Sequence, residues 1–199
     1  TVALLIVLLI VLFWLLRKSE ADDQRSTLIA DVLWLEQSLS FHLEGNAEQI
    51  KQLALDLVQE TNKSALFRLR SQHVLKNNTE LQQLVWLDTA ADPVESMPTQ
   101  GLPRLGRNDA GAEAQARSLE QASKLGKPVY TDAYQSSGSP QFDAIFPIFE
   151  NGQYRGALVG VYSLNALLQQ MVPWWFAEKY QVRIIDANGR TLARKSKID

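Results

Sequence analysis

From residue 2 to residue 16 every side chain is apolar, and Arg17-Lys18 ends the run. At about 1.5 Å per residue such a helix extends roughly 22 Å, against a hydrocarbon core of about 30 Å. The chain opens at Thr1 without an initiator Met, so the segment is expected to continue upstream to spanning length. No small-residue cleavage motif follows, which argues against a signal peptide, and nothing downstream could cover so uniform a helix. A transmembrane anchor is therefore predicted over 1–18, with an aqueous part beyond it. Arg17-Lys18 taken alone would pull the following residues to the cytoplasm, and the upstream residues would decide the orientation.

Beyond the anchor, Leu28, Val32, Leu35, Leu39, Leu43, Ile50, Leu53 and Leu57 recur at spacings of three, four and seven. That is one apolar face of a helix, predicted over 19–62, with Gly45-Asn46 as a place for a kink or break. An unbroken helix here would be on the order of 60 Å long, more than the following domain can cover. Self-association as a homodimer along its membrane-near half is the expected remedy; the second half serves equally as a seam or as packing on its own domain.

The period then changes. Residues 84–87 read as a strand ending at Asp88, and 89–111 as turns with one short strand near 94–97. Residues 112–125 have helical composition, stopped by Gly126-Lys127-Pro128. Residues 129–134 are extended, and a tight polar turn follows at 136–140. Two β-rich runs, 142–149 and 154–164, join through Asn151-Gly152, the strongest short hairpin signal. A helix over 165–180 must be interrupted at Pro173, and a second hairpin is predicted through Asn188-Gly189. Hairpin-joined strands with covering helices make an α+β fold around an antiparallel sheet, expected to include 84–87, 129–132, 142–149 and 155–163.

Chemistry-bearing motifs are few. The 20 Lys plus Arg against 22 Asp plus Glu leave a net charge of -2, which provides no cationic field for nucleic acid. Cys is absent, and the two histidines, His42 and His73, are read as surface residues. No phosphate loop, nucleophile elbow, zinc helix or calcium loop occurs. No catalytic residue, metal or cofactor is predicted, and any catalytic output is expected to lie outside this chain.

Three segments, GKPVYTDAY at 126–134, AIFPIF at 144–149 and GALVGVYSL at 156–164, together resemble the Cache family. These are PAS-like extracytoplasmic sensor domains of bacterial histidine kinases, chemoreceptors and cyclic-dinucleotide enzymes. The resemblance covers roughly residues 28–168, and YQVRIIDANGRTLA at 180–193 looks like the first hairpin of a second, membrane-proximal module. It implies an anchor at 1–18, a signalling helix at 19–62, a membrane-distal sensor at 63–170 and the start of another module at 171–199. The location implied is the inner membrane, with the sensor in the periplasm.

The resemblance also implies a small-molecule ligand held between the sheet and the helix before Tyr130. The Arg and Trp-Tyr pair of amino-acid-binding members is absent before Gly126, and Tyr162 stands where they have a final-strand Asp. A ligand other than a typical α-amino acid is therefore expected. Period-two alternation places Tyr130 and Asp132 on one strand face. With Trp86 and Tyr162 they would form an aromatic wall carrying one carboxylate, with Arg117 as an anionic anchor and Asp143 as a poorer candidate. The competing reading is that these aromatics fill the core and Arg117 is solvated. The leading functional expectation is the small-molecule sensor of a histidine kinase, and the other is a ligand-free dimerisation or protein-interaction module.

Overall fold

The computed structural model describes residues 2–99, 110–136 and 138–197, with side chains from Arg25 onward and, in the third helix, from Gly111. The anchor expected at 1–18 lies outside the residues whose side chains are described, and residues 100–109 of the turn-rich stretch at 89–111 lie outside the described residues. Among the described residues no helix is long and apolar enough to cross a membrane. The chain divides into two compact units, Thr1–Phe41 and His42–Asp199.

The first helix, α1 (Val2–Gln59), is continuous through Gly45, so the break anticipated there does not occur. Within the first unit it presents Leu28, Ile29, Val32, Leu33, Trp34 and Phe41 to solvent. Within the second unit its face is covered: Ile50, Leu53 and Leu57 are buried, matching the three-and-four spacing. Residues 60–62 break the helix, and α2 (Lys63–Asn77) begins with the Asn62 side chain accepting from the Ala65 N–H.

The strands are β1 (Leu81–Leu87), β2 (Pro93–Met97), β3 (Val129–Tyr130), β4 (Tyr134–Ser136), β5 (Ser139–Glu150) and β6 (Gln153–Ser163). They form one antiparallel sheet in the order β2-β1-β6-β5-β3, with β4 also paired to β5. Helix α3 (Ala110–Leu125) packs against β3, β4 and β5. The fold is α+β, as expected. The β5–β6 turn has Asn151 at φ 51° and Gly152 at φ 77°, the two positive-φ positions that an Asn-Gly hairpin turn requires.

The sheet separates two cores. One face packs Leu84, Ala144, Phe146, Ile148, Leu158 and Tyr162 against α1 and α2; the other packs Val85, Leu87, Ile145, Ala157 and Val159 against Leu119 and Ala122 of α3. Gly156, at φ 131°, passes so close to β1 that an added Cβ would lie 2.1 Å from the Leu87 carbonyl oxygen.

Pro173 divides the next helix into α4 (Leu164–Met171) and α5 (Trp174–Lys179). A separate two-stranded sheet follows, β7 (Val182–Ile185) with β8 (Thr191–Lys195). Lys195 on β8 donates to the Gln169 and Val172 carbonyls at 2.7 and 2.6 Å, tying that hairpin to the end of α4.

Candidate functional site

On the α3 side of the sheet, Gly111, Ala114, Gln115, Ser118, Leu119 and Ala122 form a small-residue stripe at helical spacing, and all are buried. Gln115 is the long polar side chain in that stripe. Gly111 admits the Tyr134 ring, which an added Cβ would meet at 2.7 Å. The side chains of Gln115 and Tyr134 meet at Asp143 in the middle of β5.

Asp143 is 1% exposed. Its Oδ1 accepts from the Tyr134 hydroxyl at 2.6 Å and its Oδ2 from the Gln115 amide at 2.8 Å. Its backbone N–H donates to Thr131 Oγ1, and its carbonyl accepts from the Thr131 N–H, both at 2.9 Å. Burial raises the Asp143 pKa to about 6, with the Tyr134 and Gln115 hydrogen bonds pulling the other way. Gln115 Oε1 is buried and has no partner among the described residues, an arrangement that disfavours the folded state unless something donates to it. The cluster thus offers acceptors in excess: a carboxylate whose oxygens each keep a further lone pair, and an unsatisfied amide oxygen.

The six residues singled out in the sequence do not form one wall. Tyr130, Phe142 and Tyr162 do assemble, with Phe142 stacked on Tyr162 at 5.0 Å and 6.4 Å from Tyr130. That cluster lies on the α1 face, and Tyr162 is 2% exposed. Burial, then the neighbouring Tyr130 and Glu80, hold the Tyr162 phenol well above its ordinary range. Trp86 pairs with Leu158, four residues along β6 from Tyr162, or roughly 13 Å at strand spacing. It packs on Phe67 instead. Asp143 lies on the opposite face from Phe142. Arg117 is exposed on α3.

Asp132 is not in the sheet, contrary to the expected strand over 129–132. Pairing of β3 with β5 stops at Tyr130↔Ala144, and the Thr131 hydroxyl takes over the next ladder bond to Asp143. The chain then turns away and leaves Asp132 exposed. Gln115, Thr131 and Tyr134 were missed by the sequence reading. The available signal was Gln115 standing four residues after Gly111 on the α3 stripe.

His42 also departs from its reading as a surface residue. Its Nε2 lies 2.5 Å from Oε1 of the fully buried Glu80, which also accepts from Asn46 Nδ2 at 2.6 Å. Glu80 Oε2 has no partner among the described residues. The Glu80 carbonyl accepts from Ser163 N–H, connecting this helix-side cluster to the end of β6.

A long helix leads into the antiparallel sheet, and α3 covers the buried polar cluster on its other face; solved ligand-binding domains share this fold. The ligand-binding domain of the Pseudomonas aeruginosa PAO1 amino-acid chemoreceptor PctC, in complex with GABA, matches 86% of this chain and 76% of its own at a TM-score of 0.64 and 16% identity. The PctB domain with L-Gln matches at 0.57 and 17% over 79% of this chain and 63% of that one. The Pseudomonas fluorescens CtaA domain with L-serine matches at 0.55 and 16% over 79% and 67%. The chain is thus similar in fold to ligand-binding domains of receptors and in sequence to part of a sensor protein.

In sequence the chain is similar to the C4-dicarboxylate transport sensor protein DctS of Rhodobacter capsulatus, at 29% identity over 179 residues and 89% of this chain. The chain spans 25% of that protein's length. No family model matches. The structural neighbours overturn the expectation of a ligand other than an α-amino acid, since domains of this fold were solved with L-serine and L-Gln. That expectation rested on side chains missing before Gly126, whereas an acceptor set can also come from the sheet, as Asp143 illustrates.

Proposed function

We propose that this chain is the sensing part of a longer inner-membrane receptor, a sensor histidine kinase, and that it binds a small ligand bearing a protonated amine, of the amino-acid class, at Asp143. The observation carrying the reading is the buried carboxylate beside the unpartnered Gln115 Oε1. An ammonium group has three donors and no acceptor, which complements that set. The apolar run at 2–16 supports an anchor over 1–18, and the separate β7–β8 sheet supports the start of a second module at 171–199. The exposed apolar side chains of α1 in the first unit support a homodimer, with a second copy along 19–41. Signalling then requires the ligand to bind one dimer arrangement better than another.

The similarity to DctS favours a second reading, a C4-dicarboxylate, with protonated Asp143 as a hydrogen-bond donor to it. The two readings have opposite pH dependence. Only ionised Asp143 pairs with an amine, so amine affinity should rise as pH passes about 6 and a carboxylate's should fall. Calorimetric titration with L-alanine, L-glutamine, GABA and succinate at pH 5 and 7.5 tests this. Saturable amine binding that is stronger at pH 7.5 and lost in Asp143→Asn is expected. Succinate binding alone, strengthened at pH 5, would replace the amine reading with the dicarboxylate one.

A further inference from the structure

A cavity of about 400 Å³ lies on the face of the sheet away from Asp143, where the end of α1, the start of α2 and the ends of β1, β5 and β6 converge. Its size is within the range of small-molecule sites. The apolar wall comes from Leu57, Ile148 and the half-buried Trp86. Lys63, Arg155 and Glu150 supply its charge. Ile148 belongs to the α1 face of β5 and Asp143 to the α3 face, so this cavity and the Asp143 site are separate.

The charges define what the cavity can take. Glu150 already pairs with Arg155 at 3.0 Å, which holds the guanidinium at the rim while leaving donors to spare. Lys63 makes no hydrogen bond or ion pair among the described residues, and neither does the Trp86 indole N–H. Two cations against one carboxylate leave one positive charge beside an aromatic and aliphatic wall. A monoanion with an apolar body satisfies both parts. A dianionic phosphate would be under-neutralised, and an amine would meet Lys63.

We infer that this cavity is a second binding site, for a small amphipathic monocarboxylate with an aryl or branched aliphatic body, independent of the ligand at Asp143. The carboxylate lies between Lys63 and Arg155, and the apolar body lies against Trp86, Leu57 and Ile148. Trp86, assigned from the sequence to the same wall as Tyr130 and Tyr162, has its role here.

Phenylacetate is the probe, with 2-phenylethylamine and benzyl alcohol as cationic and neutral counterparts, titrated calorimetrically into the full chain. Saturable binding of phenylacetate and not of its counterparts is expected, weakened about tenfold by Lys63→Met and again by Arg155→Met, since each removes a charge-assisted contact. Asp143→Asn should leave phenylacetate binding unchanged, which separates this site from the amine site. Lys63 and Arg155 are at the surface, so both variants should fold, as far-ultraviolet circular dichroism would check. Absence of saturable phenylacetate binding, equal binding of the amine, affinity undiminished in the double variant, or loss in Asp143→Asn would each overturn the inference.

Discussion

Asp143→Asn should make the unliganded protein more stable at neutral pH and leave it nearly unchanged in acid. Burial holds the Asp143 carboxyl at about 6 against an ordinary 3.8. Between those values the folded protein keeps a proton that the unfolded chain has released. Stability therefore falls as pH rises through that window: the contribution is complete below 3.8 and lost above about 6. At 1.36 kcal/mol per pKa unit the difference amounts to roughly 3 kcal/mol. Asparagine imitates the protonated acid in shape and carries no charge. Its Oδ1 can accept from Tyr134, and its Nδ2 can donate to Gln115 Oε1 once the Gln115 amide turns over, which exchanges the places of Oε1 and Nε2. Urea unfolding followed by tryptophan fluorescence, from pH 4 to 7.5 at fixed ionic strength, gives the stability of both proteins. The variant's advantage should grow by roughly 2.5 kcal/mol from pH 4 to 7.5, since at pH 4 the unfolded carboxyl is already partly ionised. A difference independent of pH, or one that grows in favour of the wild type, would refute the reasoning.

Gly156→Ala should cost about 3 kcal/mol or more, because φ 131° is strained for an L-residue and the new Cβ would meet the Leu87 backbone oxygen. Gly152→Ala, at φ 77° with open space around it, should cost about 1 kcal/mol; equal losses in urea midpoint would contradict the steric account. Glu80→Ala should cost about 3 kcal/mol by removing the acceptor of buried Asn46 and half-buried His42. Glu80→Gln, which keeps an acceptor, should lose less than half of that. Replacing Leu35 and Leu39 together with Glu should weaken self-association in sedimentation equilibrium; a strictly monomeric parent protein would remove the dimer proposal.

What could be read in the sequence was what is decided locally. Asn151-Gly152 fixes its turn through two positive-φ positions, Gly126 at φ 63° ends α3, and Pro173 separates α4 from α5. The spacing of Ile50, Leu53 and Leu57 gave the covered face of α1 for the same reason. Strand faces proved harder. Alternation carried past Tyr130 would put Asp132 beside it, but the Thr131 hydroxyl replaces a ladder bond and the strand ends. Register shifts after Leu81, Trp86 and Ile148 likewise interrupt a simple count of two. The Asp143 cluster draws on Gln115, 28 residues away, and no local pattern announces such a meeting. Glu80 is harder still, since composition places a glutamate in solvent and only the approach of His42 and Asn46 shows why it is buried.

Phe142 and Asp143 are consecutive on β5, one stacked on Tyr162 and the other bonded to Gln115 and Tyr134. A single peptide, 3.8 Å between Cα atoms, is thus the axle of a rocker whose two arms reach opposite sides of the sheet. Packed interiors yield little under strain, so the axle cannot turn for one arm alone. A ligand that tilted Asp143 would carry Phe142 the opposite way and press it on Tyr162, whose neighbour Ser163 donates its N–H to the Glu80 carbonyl. The far arm of this rocker ends on His42, and the helix to which His42 belongs runs back toward Val2.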